Sequence, residues 1–146
     1  MSNRILSYRG LLADGGQDTI LLSTKKGEKG YRITKFEIMA HEPGAQTYEN
    51  IVKVYKDEQS SVDGVIDFNQ NRLLAAGYFE SNSGAGSLPF YQFAIFDNEI
   101  FNQDIFVTAS DVNGSQPINY YLELEVIKLD ESQAMVTTLK DIRNNS

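Results

Sequence analysis

The chain has 146 residues and a formal net charge of −7, with no cysteine, no tryptophan and a single histidine. These absences exclude thiol catalysis, redox cysteine pairs and thiolate metal sites, and with only His41 present they exclude multi-histidine zinc sites within one chain. The acidic balance argues against nucleic-acid binding, which needs clustered Lys and Arg.

Hydrophobic residues make up 41% and charged residues 23%, an ordinary globular balance. A chain of this length can bury roughly 68–70% of its unfolded surface and needs no disulfide staple. The first residues do not read as a secretory signal, because Arg9, Asp14 and Asp18 interrupt their short apolar stretches. Apolar runs elsewhere fall far short of the ~20 residues of a membrane-spanning helix. No repeat and no linker divides the chain. The expectation is one β-rich domain over residues 1–146 that engages neither membrane nor nucleic acid and carries no cofactor.

In chain order, residues 4–12 read as a first strand, ended by the Asp14-Gly15-Gly16 turn, and 19–24 as a second. The polar loop 25–30 leads to a third strand, 31–40. Its apolar positions run Tyr31, Ile33, then Phe36, Ile38, so the phase changes and implies a bulge near Thr34 and Lys35, or burial on both faces. Residues 50–56 put Val52 and Val54 on one face and Lys53 on the other. Residues 57–71 are polar and read as loop, anchored by Val62, Val65, Ile66 and Phe68. Strands follow at 73–80, 90–96, 105–110 and 119–129, with 81–87 as a flexible loop. The last strand is the clearest. Tyr120, Leu122, Leu124 and Val126 share one face, and Glu123 and Glu125 share the other. Asn113-Gly114 between the last two strands is a strong hairpin signal.

The period then changes. Asp130 precedes Gln133 by three residues, a capping-box spacing, and Met135, Leu139 and Ile142 recur as a helical apolar stripe. Val-Thr-Thr in the same stretch also suits a strand. Eight or nine strands and one short C-terminal helix suggest an all-β, two-sheet antiparallel sandwich of jelly-roll type.

No catalytic set assembles from the sequence. Asp111, Asn113 and Gly114 form a fragment of an oxygen-ligand calcium loop, but no downstream bidentate Glu completes it; a hairpin turn with solvated carboxylates reads the same residues. Asp57, Glu58, Asp63 and Asp67 are a second acidic group with the same shortfall. Glu37, Glu123 and Glu125 lie on strands, and acid-pair hydrolysis needs two such groups about 5–10 Å apart across a cleft. The ordinary role of such residues is the wet face of a half-buried sheet. His41 stands beside a turn, with no nucleophile elbow to serve.

Aromatics are abundant, with eight Tyr and eight Phe. Tyr78 with Phe79 and Tyr120 with Tyr121 put rings on both faces of their strands, which favours a protein interface or a sugar-stacking face. The candidate contact residues are Tyr78, Phe79, Tyr121, Met135, Leu139 and Ile142, with loops 57–71 and 81–87.

Three stretches together carry a resemblance: GYRITKFEIM (30–39), DNEIFNQDIFVT (97–108) and NYYLELEVIKLDESQAMVTTLKDIRNN (119–145). The chain resembles small virion-associated proteins of tailed phages of marine bacteria, cyanophages among them. The resemblance implies a non-enzymatic structural part of a phage particle, either a capsid decoration protein or a tail component. It implies a location in the virion and contacts with other virion proteins or with further copies of itself. It supplies no catalytic residues. The competing expectation, from the aromatic surface, is a carbohydrate-binding β-sandwich or adhesin for a host-surface glycan, with calcium as an accessory.

Overall fold

Alternating burial generates most of the architecture, which was obtained as a computed structural model describing residues 4–22, 29–82, 88–96 and 98–128. Eight strands form: β1 (Ile5–Leu12), β2 (Gln17–Ile20), β3 (Lys29–Ala40), β4 (Tyr48–Tyr55), β5 (Leu73–Ser81), β6 (Phe90–Ile95), β7 (Ile105–Asp111) and β8 (Ile118–Lys128). They build a two-sheet antiparallel sandwich. Sheet A runs β1-β8-β3 and sheet B runs β2-β7-β4-β5-β6. Among the described residues there is no helix, and the expected stripe of Met135, Leu139 and Ile142 lies outside them.

The pairing is nested: β1 with β8, β2 with β7 and β4 with β5, as in one long hairpin folded over on itself. The remaining nested pair, β3 with β6, comes close in space but forms no ladder. Instead β6 stays hydrogen-bonded to β5.

The core lies between the sheets. From sheet A it takes Ile118, Tyr120, Leu122 and Leu124 of β8 with Tyr31, Ile33, Phe36 and Ile38 of β3. The phase change in β3 is a bulge: the register against β8 shifts between Ile33 and Lys35, so Thr34 is the extra residue and both apolar pairs face inward. Glu123 and Glu125 fall on the outer face, as their alternation requires. β2 is shorter than expected. Its ladder to β7 ends at Ile20–Ile105, after which the Leu22 N–H donates to Asp104 Oδ1 at 2.7 Å.

The Asn113-Gly114 connection is not a hairpin. β7 belongs to sheet B and β8 to sheet A, so this segment crosses between sheets. A type I′ turn needs positive φ at both central residues, whereas among the described residues only Gly15 and Gly44 have it. Asp111 sets the path instead: Oδ1 accepts the Asn113 N–H at 3.1 Å and Oδ2 the Gln116 N–H at 2.9 Å. Asn50 Nδ2 then donates to Gln116 O at 3.1 Å.

Sheet B is covered on its outer face as well. Lys53 is buried there, with Nζ 3.0 Å from Asp63 Oδ1 and 2.6 Å from Val65 O. Gln17 and Gln59 exchange bonds of 3.1 and 2.9 Å, and Arg72 meets Asp57 at 2.9 Å. Polar contacts therefore do much to hold loop 57–71 down; of the expected apolar anchors, Phe68 lies edge-on to Phe96 at 5.2 Å while remaining largely exposed, and Val65 is exposed. Sheet A has no comparable cover among the described residues.

Candidate functional site

Two surfaces follow from that asymmetry. The first is β6. Residues 88–96, Leu-Pro-Phe-Tyr-Gln-Phe-Ala-Ile-Phe, contain no charged side chain. Strand alternation sends Phe90 and Gln92 to one face, Tyr91 and Phe93 to the other. Sheet A is only three strands wide and sheet B five, so β6 overhangs the sandwich and neither of its faces is fully covered. Phe90, Tyr91 and Phe93 are 50%, 53% and 41% exposed, and Leu88 is 89% exposed.

Neighbouring rings position these side chains. Phe93 packs edge-on against Phe36 of β3 with centroids 5.7 Å apart, and Tyr91 lies 5.6 Å from Phe79. Phe90 meets Tyr78 edge-on at 6.2 Å. Gly77, the cross-strand partner of Phe93, lets that ring lie against the sheet: a Cβ there would stand 2.9 Å from Phe93 and 3.1 Å from Phe36.

The second surface is a trough of about 770 Å³ on the outer face of sheet A. Its floor is one band across three strands. Arg9 of β1 pairs with Tyr121 of β8, and Tyr121 with Glu37 of β3; the adjoining row holds Asn119 and Met39. Tyr91 and Phe93 form its wall beyond β3. Lys35 Nζ lies 3.7 Å from Glu37 Oε1 and 6.0 Å from the Tyr121 ring centre. Asn119 Nδ2 donates to Ala40 O at 3.4 Å.

The expected contact residues separate in space. Tyr121 lies in the trough. Tyr78 is on the outer face of sheet B, where its hydroxyl is 3.0 Å from Glu80 Oε2 and 3.3 Å from Glu49 Oε1. Desolvation, then the bond to Glu80 and the charge of Glu49, push its pKa up to about 12. Phe79 is in the core, 6% exposed and edge-on to Tyr48. Arg9, Met39 and Phe93 escaped the sequence reading as site residues. The legible signal was the uncharged run through β6, with aromatics at both odd and even positions.

Several acidic candidates are engaged in structural contacts, whereas Glu37 lies in the trough. Asp111 is buried and both its oxygens accept backbone N–H groups, and Asn113 contributes one of those donors. Among the described residues no group of three His, Asp or Glu side chains converges as a metal site would require. Glu125 pairs with Arg32 at 2.7 Å, Glu37 with Lys35, and Glu99 with Lys56 at 3.3 Å.

No protein-family model and no curated protein matches this chain. Solved structures similar to it include VP1 of Trichodysplasia spinulosa-associated polyomavirus in complex with 3'-sialyllactose, at 5% identity and a TM-score of 0.44, covering 88% of this chain and 96% of that one. The Yersinia pseudotuberculosis-derived mitogen matches at 12% identity and a TM-score of 0.33, covering 90% and 93%. A marine algae virus of the order Picornavirales matches at 7% identity and a TM-score of 0.30, covering 88% and 65%.

Proposed function

We propose that this protein is a non-enzymatic structural module that works through protein–protein contacts, assembling with further copies of itself as a component of a tailed-phage virion. The observation that carries the contact role is β6: an edge strand without a charged residue, exposing aromatic rings on both faces. Isolated proteins protect edge strands with charges, proline or a covering element. Here Pro89 stands just before the strand and nothing charged lies within it. Tyr and Phe are enriched, and charged residues depleted, at the centres of protein interfaces.

The nested strand pairing supports reading the sandwich as a jelly roll in which β6 remains with β5 instead of joining β3. The virion assignment rests on the three resembling stretches. In the fold their described parts are neighbours: β3 ladders with β8, and Tyr31 and Phe101 bridge through N–H···O bonds of 2.7 and 2.9 Å. They build the frame of the sandwich and leave β6 outside.

Light scattering over a concentration series, with Phe90→Glu as the control, tests the contact. Concentration-dependent oligomers abolished by the substitution are expected. A wild-type monomer at every concentration that also fails to co-sediment with purified particles of its phage would overturn the proposal.

A further inference from the structure

The trough on sheet A faces away from the core and is formed within one copy of the chain; its wall, Tyr91 and Phe93, is one face of β6, so the self-contact proposed above uses the other face, which carries Phe90. We infer that the trough is a saccharide-binding site, taking an oligosaccharide of at least two pyranose rings with a sugar carboxylate at the Arg9 end.

Span comes first. Arg9, Tyr121 and Glu37 sit side by side on three adjacent strands, so the charged ends are two strand spacings apart, roughly 10 Å. That is the length of two linked sugar rings and too long for a single small anion. The trough is open to solvent along its length, and its volume of about 770 Å³ lies within the range of ligand sites.

Chemistry comes next. Tyr121 lies midway along the floor and Tyr91 stands in the wall, both offering an apolar ring and a polar tip. A pyranose has the matching form, with C–H groups on one face and hydroxyls around the rim. Asn119 spends Nδ2 on Ala40 O, and its Oδ1 has no partner among the described residues. Glu37 accepts hydrogen bonds from sugar hydroxyls at the β3 end. Most of the lining is apolar, but an aliphatic chain laid along the whole floor would desolvate Arg9, Glu37 and Asn119 and return no hydrogen bonds, a cost that counts against it.

Charge selects the orientation. Among the described residues Arg9 forms no ion pair, whereas Glu37 is already matched by Lys35. A carboxylate placed at Arg9 gains a two-pronged, charge-assisted hydrogen bond. At the Glu37 end the nearby cation, Lys35, is already engaged by Glu37, so a carboxylate gains less there. On a chain of net charge −7, the Arg9 end is where an acidic sugar is accepted.

The test is calorimetric titration of the full chain with disaccharides and trisaccharides, neutral and carboxylated. The Phe90→Glu background is run in parallel; Phe90 lies on the opposite face from the trough-lining Tyr91 and Phe93, so saccharide binding persists there whether or not the protein self-associates. Carboxylated ligands are expected to bind best. Arg9→Gln is expected to weaken them about tenfold or more with little change for neutral ones. Tyr121→Ala is expected to weaken both. Arg9→Lys keeps the charge, loses the fork and falls between. Unchanged thermal unfolding of the variants excludes a folding defect. No binding by any saccharide, equal affinity for neutral and carboxylated ligands, or preferential uptake of an aliphatic detergent would each overturn the inference.

Discussion

The Tyr120 hydroxyl donates a 2.9 Å hydrogen bond to Asp18 Oδ2, tying β8 of sheet A to β2 of sheet B. Gly10 of β1 packs directly against this contact: a Cβ there would stand 2.8 Å from the Tyr120 ring and 3.0 Å from Asp18 Oδ2. Burial, then the bond and the charge of Asp18, raise the Tyr120 pKa above its ordinary value. The β1–β8 edge is therefore fastened to the opposite sheet through a polar pair inside an otherwise apolar layer.

Tyr120→Phe is expected to cost about 1.5–3 kcal/mol, the worth of a hydrogen bond to a charged group. Gly10→Ala should cost a similar amount by overpacking, about 1–3 kcal/mol, because both a ring and a carboxylate must move. Urea unfolding of the two single variants and the double variant checks this. Since both act on one contact, the losses should fall short of additive.

Lys53 is buried under loop 57–71 and its ammonium is neutralised by Asp63. Asp63→Ala leaves that charge unpaired and should destabilise more than Lys53→Met, which removes the charge and keeps the volume. Opposite ranking in thermal unfolding would contradict this account of the loop.

The same pair gives stability an acid dependence. The hydrogen bond from Lys53, then that from the Val65 N–H, hold the Asp63 carboxyl below its usual 3.8. A depressed carboxylate pKa contributes stability that is complete above 3.8 and is lost as pH falls through the lower, folded value. The stability gap between wild type and Asp63→Asn should therefore close in acid, read from unfolding midpoints across a pH series.

At the alkaline end, Tyr78 ionises late, at about 12, because its phenolate would be desolvated, would lose the hydrogen bond to Glu80 and would stand beside the charge of Glu49. A raised tyrosine pKa contributes stability that is present below the ordinary value of 10 and is lost as pH rises through about 12. Glu80→Gln should bring this ionisation to lower pH. Ultraviolet titration of tyrosinate would show one group moving while the late step of Tyr120 stays in place.

Gly77→Ala probes the wall of the trough. The added methyl meets Phe93 and Phe36, so about 1–3 kcal/mol of stability should be lost and the Phe93 ring displaced. Ring chemical shifts of Phe93 and Tyr91 should change, while those near Asp18 and Tyr120 should not.

How much of this was legible follows from which interactions are local. The alternation of β8 placed Tyr120, Leu122 and Leu124 inward and Glu123 and Glu125 outward, and the broken alternation of β3 located its bulge at Thr34. Both are period-2 signals that a single strand carries. Asn113-Gly114 misled because a turn dipeptide reports a change of direction, not which sheet the next strand joins. Phe79 was mistaken for a surface ring because alternation assigns it a face but not what lies across from that face.

Composition excluded thiol and multi-histidine chemistry and set the acidic net charge, and local spacing determined the β-rich class and most strand positions, since each depends on residue types and their order within short segments. The tertiary structure decided the rest. It set a three-stranded sheet over a five-stranded one, kept β6 with β5, and laid loop 57–71 over sheet B, while among the described residues sheet A has no such cover. Those choices come from pairings far apart in the chain, such as Arg9 with Tyr121 and Tyr121 with Glu37. A contact surface built from three strands exists only once their register is fixed, so no segment could announce it alone.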